Sequence, residues 1–224
     1  VWHALRQTGV GGSDMASVVG RSRFKSREEL LASKLENPAI SEANAACRVG
    51  HWLEPYILER VGARPAAHLG TLASHRANYL LANLDGLRPA PGGGLELIEI
   101  KTTSTSSARY MRAEAPIHYQ LQVQHYLGVT GIQQATLYGL VIQEDRDELM
   151  RAHDAASPED RATLGRSIVA KSELIEHTIR AKPKWIERMH DIAHDFWVQV
   201  RQERASVIQL SLIHISEPTR RIEI

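Results

Sequence analysis

The feature that limits the fold most is a cluster of helix and strand breakers at Pro89, Pro91, Gly92, Gly93 and Gly94. Proline fixes φ and lacks a backbone donor, and consecutive glycines favour turns, so no regular element runs through this stretch. The residues on either side have extended patterns, one segment near Tyr79–Leu87 and another from Leu95 to Thr102. The breaker cluster therefore joins two strands and folds the second back beside the first. Asp85 lies at the end of the first strand, next to Gly86. In the second, Leu95, Leu97, Glu99 and Lys101 share one face, because side chains alternate along a strand. Two carboxylates and an ammonium are thus brought into one small volume.

Like charges packed together are costly unless a cation compensates them. Mg²⁺ prefers carboxylate oxygens plus water, and the Ile100 carbonyl, between Glu99 and Lys101, offers one more oxygen. A lysine beside such a cation can orient or deprotonate an attacking water and counter charge building on a phosphate. An Asp…Glu-x-Lys pattern also occurs on ordinary surface hairpins, where a Glu–Lys pair contributes little. The surrounding residues decide between the two.

Upstream, a helical stretch from Ser41 to Val61, stopped by Gly62, repeats apolar residues at Val49, Trp52, Leu53, Tyr56 and Ile57. Pro55 is expected to kink or divide it. Glu54 shares a face with Gly50, Ile57, Leu58 and Val61, and a carboxylate on a partly apolar face needs a partner. Gly50, one turn earlier, leaves room for close approach of backbone or DNA. Downstream, a helix from about Pro116 to Val129 carries Gln120, Gln122 and Gln124 among apolar residues. Gln122 and Tyr126 are four apart and meet on one face. A core helix does not need these amides, so they are expected to face a polar site.

The rest of the pattern is mixed. Ser13 is expected to cap a short helix ended by Gly20, and Ser26 with Glu29 forms a capping box opening a helix to about Glu36. Ala66–Ser74 reads as extended, the Thr/Ser run after the second hairpin strand as a polar loop, and Ala135–Ile142 and Leu174–Ile179 as strands. Gln143–Arg166 is a charged insertion, helical or mobile. Pro183 opens an amphipathic helix whose Trp185, Phe196 and Trp197 are expected to pack in the core rather than stack on bases. These elements predict an α/β fold with a mixed central sheet flanked by helices, as one domain over residues 1–209.

With 224 residues, 43% hydrophobic and 24% charged, the chain has the composition of a globular protein of that size. Its longest apolar stretches are too short to span a bilayer and no secretory start is visible, so no membrane association is expected. The chain opens on Val1 rather than Met, and a preceding piece is expected. Cys47 is alone, which excludes an internal disulfide and multi-cysteine metal sites and suits a reducing, cytoplasmic compartment. Net charge is only +1, but Arg6, Arg21, Arg23, Lys25 and Arg27 face a single acid, Asp14, in the opening stretch, a run suited to phosphates. His51, His68, His118, His125 and His177 fit no metal spacing and are read as structural or exposed. The string from Leu210 to Arg220 resembles the translation of a transposon-type adapter used in sequencing libraries, so residues 210–224 are expected to be a non-native tail that contacts the domain little.

Four motifs occur in family order: Gly50-x-x-x-Glu54, Asn83-Leu84-Asp85-Gly86, Glu99-Ile100-Lys101, and Tyr119-x-x-Gln122-x-Gln124. Together with Arg6 to Lys25, which includes Gly11-Gly12-Ser13-Asp14, they resemble the YqaJ-like viral recombinase family. These are the lambda-exonuclease-type PD-(D/E)XK nucleases, and the likeness covers roughly Arg6 to Val200. It implies a restriction-endonuclease-like fold in which Asp85, Glu99 and the Ile100 carbonyl bind Mg²⁺ (or Mn²⁺), Glu54 supports them, Lys101 is the catalytic lysine and Gln122 hydrogen-bonds near the site. Arg6 and Ser13 have the spacing of the pair that holds the 5′-phosphate of the digested strand. The implied activity is 5′-to-3′ exonuclease action on double-stranded DNA ends, making single strands for phage-type recombination. A homotrimer and a single-strand annealing protein as partner are implied with it. Leu84 stands where the class name has proline, and Gly11 replaces a hydroxyl residue of the phosphate-binding segment. A restriction endonuclease would bring a sequence-reading element and a Cas4-like trimmer its cluster-binding cysteines, neither of which is visible. A non-catalytic DNA-end-binding module would have altered Asp85, Glu99 or Lys101, and all three are present.

Overall fold

The computed structural model describes residues 5–36 and 44–216, with side chains described as far as Ser206. In chain order the described elements begin with β1 (Val10–Gly11), a 3-10 turn (Gly12–Asp14), α1 (Met15–Val18), α2 (Arg27–Leu35) and α3 (Ala45–Arg60). Then come β2 (Arg64–Pro65), β3 (Leu72–Ala73), β4 (Leu80–Ala82), β5 (Gly86–Pro89), β6 (Leu95–Ser104), α4 (Thr105–Ala113), α5 (Ile117–Thr130) and β7 (Gln134–Ile142). The chain continues through α6 (Arg146–Ala155), α7 (Pro158–Lys171), β8 (Leu174–Arg180) and α8 (Pro183–Ser216).

Five strands form a mixed sheet in the order β2-β5-β6-β7-β8, and a smaller sheet runs β1-β4-β3. A hairpin is present, but the strand expected near Tyr79–Leu87 is divided. β4 joins the smaller sheet, and β5, which takes in Pro89, is antiparallel to β6 with Gly86 opposite Ile98 and Pro89 opposite Leu95, while Gly93 and Gly94 turn at φ 90° and 79°. Gly86 has no alternative, because a Cβ there would lie 2.3 Å from the Leu58 side chain and 3.2 Å from the Arg64 carbonyl. β6 and β7 are parallel, joined by a crossover through α4 and α5. Hydrophobic side chains bury on both faces of this pair, as a sheet covered on two sides requires. Leu97, Leu137 and Val141 pack with α5 and α8, whereas Ile98, Ile100, Leu140 and Ile142 pack with α3, α6 and α7.

Several local expectations change. Asn44 rather than a residue near Ser41 caps the described α3, and Ser41 itself lies outside the described residues. Pro55 does not divide α3: the helix spans Ala45–Arg60, and burial of Val49, Leu53, Ile57 and Leu58 offsets the hydrogen bond that proline cannot make. Ser13 is not the cap of the first helix, since the backbone N–H of Gly11 bonds to the Asp14 carboxylate and Ser13 sits inside the 3-10 turn. The extended segment expected at Ala66–Ser74 contains a 3-10 turn at Ala67–Leu69 and only the short β3. The Thr/Ser run after Lys101 is no loop: β6 continues to Ser104, whose side chain accepts from the Ser107 N–H and starts α4. That helix escaped notice because serine and threonine weaken helical periodicity while supplying its cap.

The 143–166 stretch is helical, and α6 and α7 lie against α3. Phe196 and Trp197 are core residues as expected, while Trp185 remains 42% exposed with Lys182 over its ring. No described helix is long and apolar enough to cross a membrane. The backbone of α8 runs past Gln209 to Ser216; residues 217–224, and the contacts of the tail's side chains, lie outside the described residues.

Candidate active site

β5 ends where β6 continues, and the loop before β5 places Asp85 against that free edge. The Ile100 N–H donates to Asp85 Oδ2 at 2.8 Å. Within a strand the N–H and C=O of one residue point to the same side, so the Ile100 carbonyl faces the Asp85 edge as well. Glu99 and Lys101 project from the sheet face that α5 covers. Lys101 Nζ lies 2.6 Å from Glu99 Oε1, and Gln122 Nε2 donates to the same oxygen at 2.6 Å and to the Tyr126 hydroxyl at 3.2 Å. Gln122 and Tyr126 thus meet on one helix face, as their spacing predicts. Of the other glutamines, Gln124 bonds the backbone of Arg180 and Lys182, and Gln120 bonds Glu114 and the Ala115 carbonyl. These amides close chain turns instead of facing the site, a distinction that sequence period cannot make.

A cavity of about 660 Å³ unites these groups: Glu54 from α3, Asp85, Glu99, Ile100 and Lys101 from the sheet, and Gln122 from α5 all line it. Arg6 and Ser13 line the same cavity, with Arg6 Nη2 donating to Ser13 Oγ at 3.2 Å. All eight expected site residues therefore converge. Gly50 lines the cavity too, and among the described residues a Cβ there would meet Thr102 Oγ1 alone, at 3.7 Å.

β6 carries two fully buried glutamates, whose partners differ. Glu96 is satisfied: Arg88 Nε reaches Oε2 at 2.6 Å, and Gln134 Nε2 and Thr136 Oγ1 reach Oε1 at 2.7 Å each. Its carboxyl is held below the usual range because these bonds outweigh burial. In Glu99 only Oε1 is bonded among the described residues, and Oε2 is buried with no partner among them. Burial, then the Asp85 charge, pushes Glu99 up to about 8 against the pull of Lys101. Glu54 rises to about 7 by burial and Asp85, and Asp85 is itself raised by burial despite Lys101 and the Ile100 N–H. Burial acts to lower Lys101, but Glu99 and Asp85 win and hold it above the ordinary lysine range. Three carboxylates strained upward, one with an orphaned oxygen, suit a divalent cation beside Asp85, Glu99 and the Ile100 carbonyl. Such an oxygen-only donor set is of the kind that hard divalent cations prefer.

Sequence reasoning missed Lys34. Its Nζ is buried and donates to the carbonyls of Arg6 and Gly9 at 2.6 and 2.8 Å and to Asp14 Oδ2 at 2.8 Å. Asp14 also accepts from Gly11 N and lies 3.3 Å from Arg6. Lys34 thereby clamps the segment that presents Arg6 and Ser13. Only its position on the apolar face of α2, one turn after Leu30, signals burial. Among the histidines, His125 and His177 are structural, pairing with the Leu81 and Met111 carbonyls, and His68 pairs with that of Pro65. His51 lines the cavity and His118 a groove next to it.

The sequence model of the YqaJ-like viral recombinase domain matches residues 1–133. The YqaJ protein of Bacillus subtilis (strain 168) is 31% identical over 147 residues, covering 63% of this chain and 45% of that protein. African swine fever virus protein D345L is 45% identical over 53 residues, 24% of this chain and 15% of that protein. The chain thus spans less than half the length of these two relatives. Among solved structures, an alkaline exonuclease from Laribacter hongkongensis in complex with dAMP superimposes with a TM-score of 0.66 at 20% identity, over 94% of this chain and 97% of the other. A phage-related exonuclease from Haemophilus somnus 129PT gives 0.53 at 15% identity, over 90% and 98% of the two chains. The fold shared with these proteins is restriction-endonuclease-like.

Proposed function

We propose, for a chain that belongs to the YqaJ-like viral recombinase family, the activity of a metal-dependent deoxyribonuclease that digests double-stranded ends in the 5′-to-3′ direction. The observation that carries this reading is the cavity in which Asp85, Glu99 with its unpartnered Oε2, Lys101 and Glu54 converge beside Arg6 and Ser13. Asp85, Glu99 and the Ile100 carbonyl would hold Mg²⁺ or Mn²⁺, with Glu54 supporting from α3. Bound there, the ion supplies Lewis acidity and lowers the proton affinity of water. Lys101 orients the attacking water and offsets charge gathering on the phosphate. Gln122 fixes the Glu99 carboxylate by donating to Oε1. Water adds its oxygen to phosphorus, the bond from phosphorus to the 3′ oxygen breaks, and that oxygen takes up a proton. The products are a 5′-mononucleotide and a new 5′-phosphate end. The Laribacter relative's complex with dAMP, a mononucleotide, supports that product class. The single strand left behind is the substrate class for an annealing protein, and a ring of three copies would keep the enzyme on its duplex.

Arg6 and Ser13 set the direction in this reading. A terminal phosphate carries more charge than an internal diester, and a forked guanidinium beside a hydroxyl favours it. Linear duplexes with 5′-phosphate should be digested faster than those with 5′-hydroxyl, and a closed circle should resist. Arg6→Ala should slow the phosphorylated end by about ten- to a hundred-fold, the equivalent of one charged hydrogen-bonding group, and the 5′-hydroxyl end much less. Equal slowing of both ends, mimicked by added salt, would remove the 5′-pocket and leave the metal site standing. Cutting of the closed circle at the rate of linear DNA would instead point to an endonuclease.

The carboxylates make a second prediction that needs no turnover. Glu54 and Glu99 have folded-state values of about 7 and 8 against 4.5 for the free side chain. Their contribution to stability is therefore complete below about 4.5 and is lost as pH rises through 7 to 8. A cation that binds the ionised pair restores it. In thermal denaturation Mg²⁺ should raise Tm clearly at pH 8 and little at pH 5, and Glu99→Gln should remove most of the pH 8 gain. A gain unchanged by Glu99→Gln would place the cation elsewhere.

A further inference from the structure

Phe24 is 80% exposed, on the loop between α1 and α2, where a large apolar ring is ordinarily covered. The loop holds it there. Ser22 Oγ accepts from the backbone N–H groups of Phe24 and Lys25 at 3.1 and 3.2 Å, and Ser17 Oγ donates to the Lys25 carbonyl at 2.8 Å. The ring stands edge-on to His118, with centroids 5.6 Å apart, and His118 lies 4.1 Å from the Tyr119 ring. Tyr119 in turn sits under Lys101, whose Nζ is 5.4 Å from the ring centre. Phe24 and Tyr119 line both the candidate active-site cavity and the neighbouring groove, where Arg23 and His118 join them. An aromatic shelf thus leads from the lysine at the reaction centre to open solvent, with a guanidinium at its outer end.

We infer that Phe24, His118 and Tyr119 receive the nucleobase of the nucleotide whose phosphate lies at Lys101, with Arg23 on the adjoining sugar–phosphate backbone. This rests on the nuclease reading and goes further, assigning a base-stacking subsite that positions the strand for cleavage. The shelf suits an unpaired base better than a protein side chain. Its apolar rings are flanked by Lys101 and Arg23, which want phosphates, and it is continuous with the cavity that would hold the scissile bond. Stacking uses the π-face that all bases share, so the subsite would tolerate any sequence, as an exonuclease needs.

The test compares the full chain with Phe24→Ala, Phe24→Trp and Phe24→Leu on duplexes whose 5′-terminal nucleotides are either normal or abasic. Loss of one stacked base should lower kcat/KM of Phe24→Ala by about tenfold on normal ends, with little further loss on abasic ends. Phe24→Trp should keep most of the rate, and Phe24→Leu should behave like Phe24→Ala. In a Lys101→Ala background, a terminal 2-aminopurine should be quenched on binding, and the quenching should fall when Phe24→Ala is added. Equal losses on normal and abasic ends, or a Leu variant as good as Trp, would show that the ring only fills space and would overturn the subsite. That outcome leaves the nuclease reading intact, because cleavage persists. Absence of metal-dependent cleavage of every DNA by the unaltered chain would overturn both.

Discussion

Lys101→Ala is expected to lower cleavage of linear duplex DNA by about 10²–10⁴-fold, the range for a group that moves a proton or stabilises transition-state charge. The lysine's surroundings say why. Its ammonium is 2.6 Å from Glu99 Oε1 and 5.4 Å from the centre of the Tyr119 ring, and it is held charged by Glu99 and Asp85. Removing it takes away the cation nearest the proposed reaction centre and leaves Glu99 with Gln122 as its sole described hydrogen-bond donor, so the carboxyl would rise further and bind a divalent ion less well. Lys101→Arg should not rescue the rate, because a planar guanidinium cannot sit as a point charge between Glu99 and Asp85. Duplex binding should change little, since most affinity for DNA comes from phosphate contacts spread over the surface. Single-turnover cleavage and filter binding on the same preparations would separate the two effects. Turnover near the unaltered level in Lys101→Ala would show that the lysine is misassigned.

Lys34→Met is expected to be the most destabilising change near the site, although Lys34 lies outside the proposed catalytic group. Its side chain and that of Asp14 are 4% and 5% exposed, and the two are 2.8 Å apart. Burial disfavours both charges, but Lys34 and Arg6 hold Asp14 below the usual carboxylate range. Removing one member of a buried pair strands the other without compensation, which costs about 3–5 kcal/mol. For a chain of this size that is a fall in Tm on the order of 10 °C. The carbonyls of Arg6 and Gly9 also lose their donor, so the segment carrying Arg6 and Ser13 should loosen and discrimination for 5′-phosphate should fall with stability. Adding Asp14→Leu should recover part of the stability, because an apolar pair avoids the stranded charge, without recovering the end preference. Denaturation midpoints of the three proteins would check this; a Lys34→Met protein within a degree or two of the original would mean that the pair is not a clamp.

The chain's local pattern determined the elements nearest the chemistry. The proline–glycine cluster and the period-two face of Leu97, Glu99 and Lys101 specify the hairpin, and the four-residue spacing of Val49, Leu53 and Ile57 specifies the helix that carries Glu54. These signals are legible because turn chemistry and periodicity act over a few residues. Motif order added which side chains should share a site, and the cavity gathers Glu54, Asp85, Glu99, Lys101 and Gln122 but not Gln120 or Gln124. What neighbours do to a side chain was settled only by tertiary structure. Glu96 and Glu99 look alike along β6, yet one meets Arg88, Gln134 and Thr136 and the other keeps an unpartnered oxygen beside Asp85. Gln122 and Gln124 belong to one motif, yet one bonds Glu99 and the other ties down the start of α8. The Asp14–Lys34 pair joins residues 20 apart, and Phe24 gains meaning only from His118 and Tyr119, far along the chain. Hydrogen-bond satisfaction and desolvation depend on what the fold brings within a few ångströms, and no local sequence signal encodes that distance.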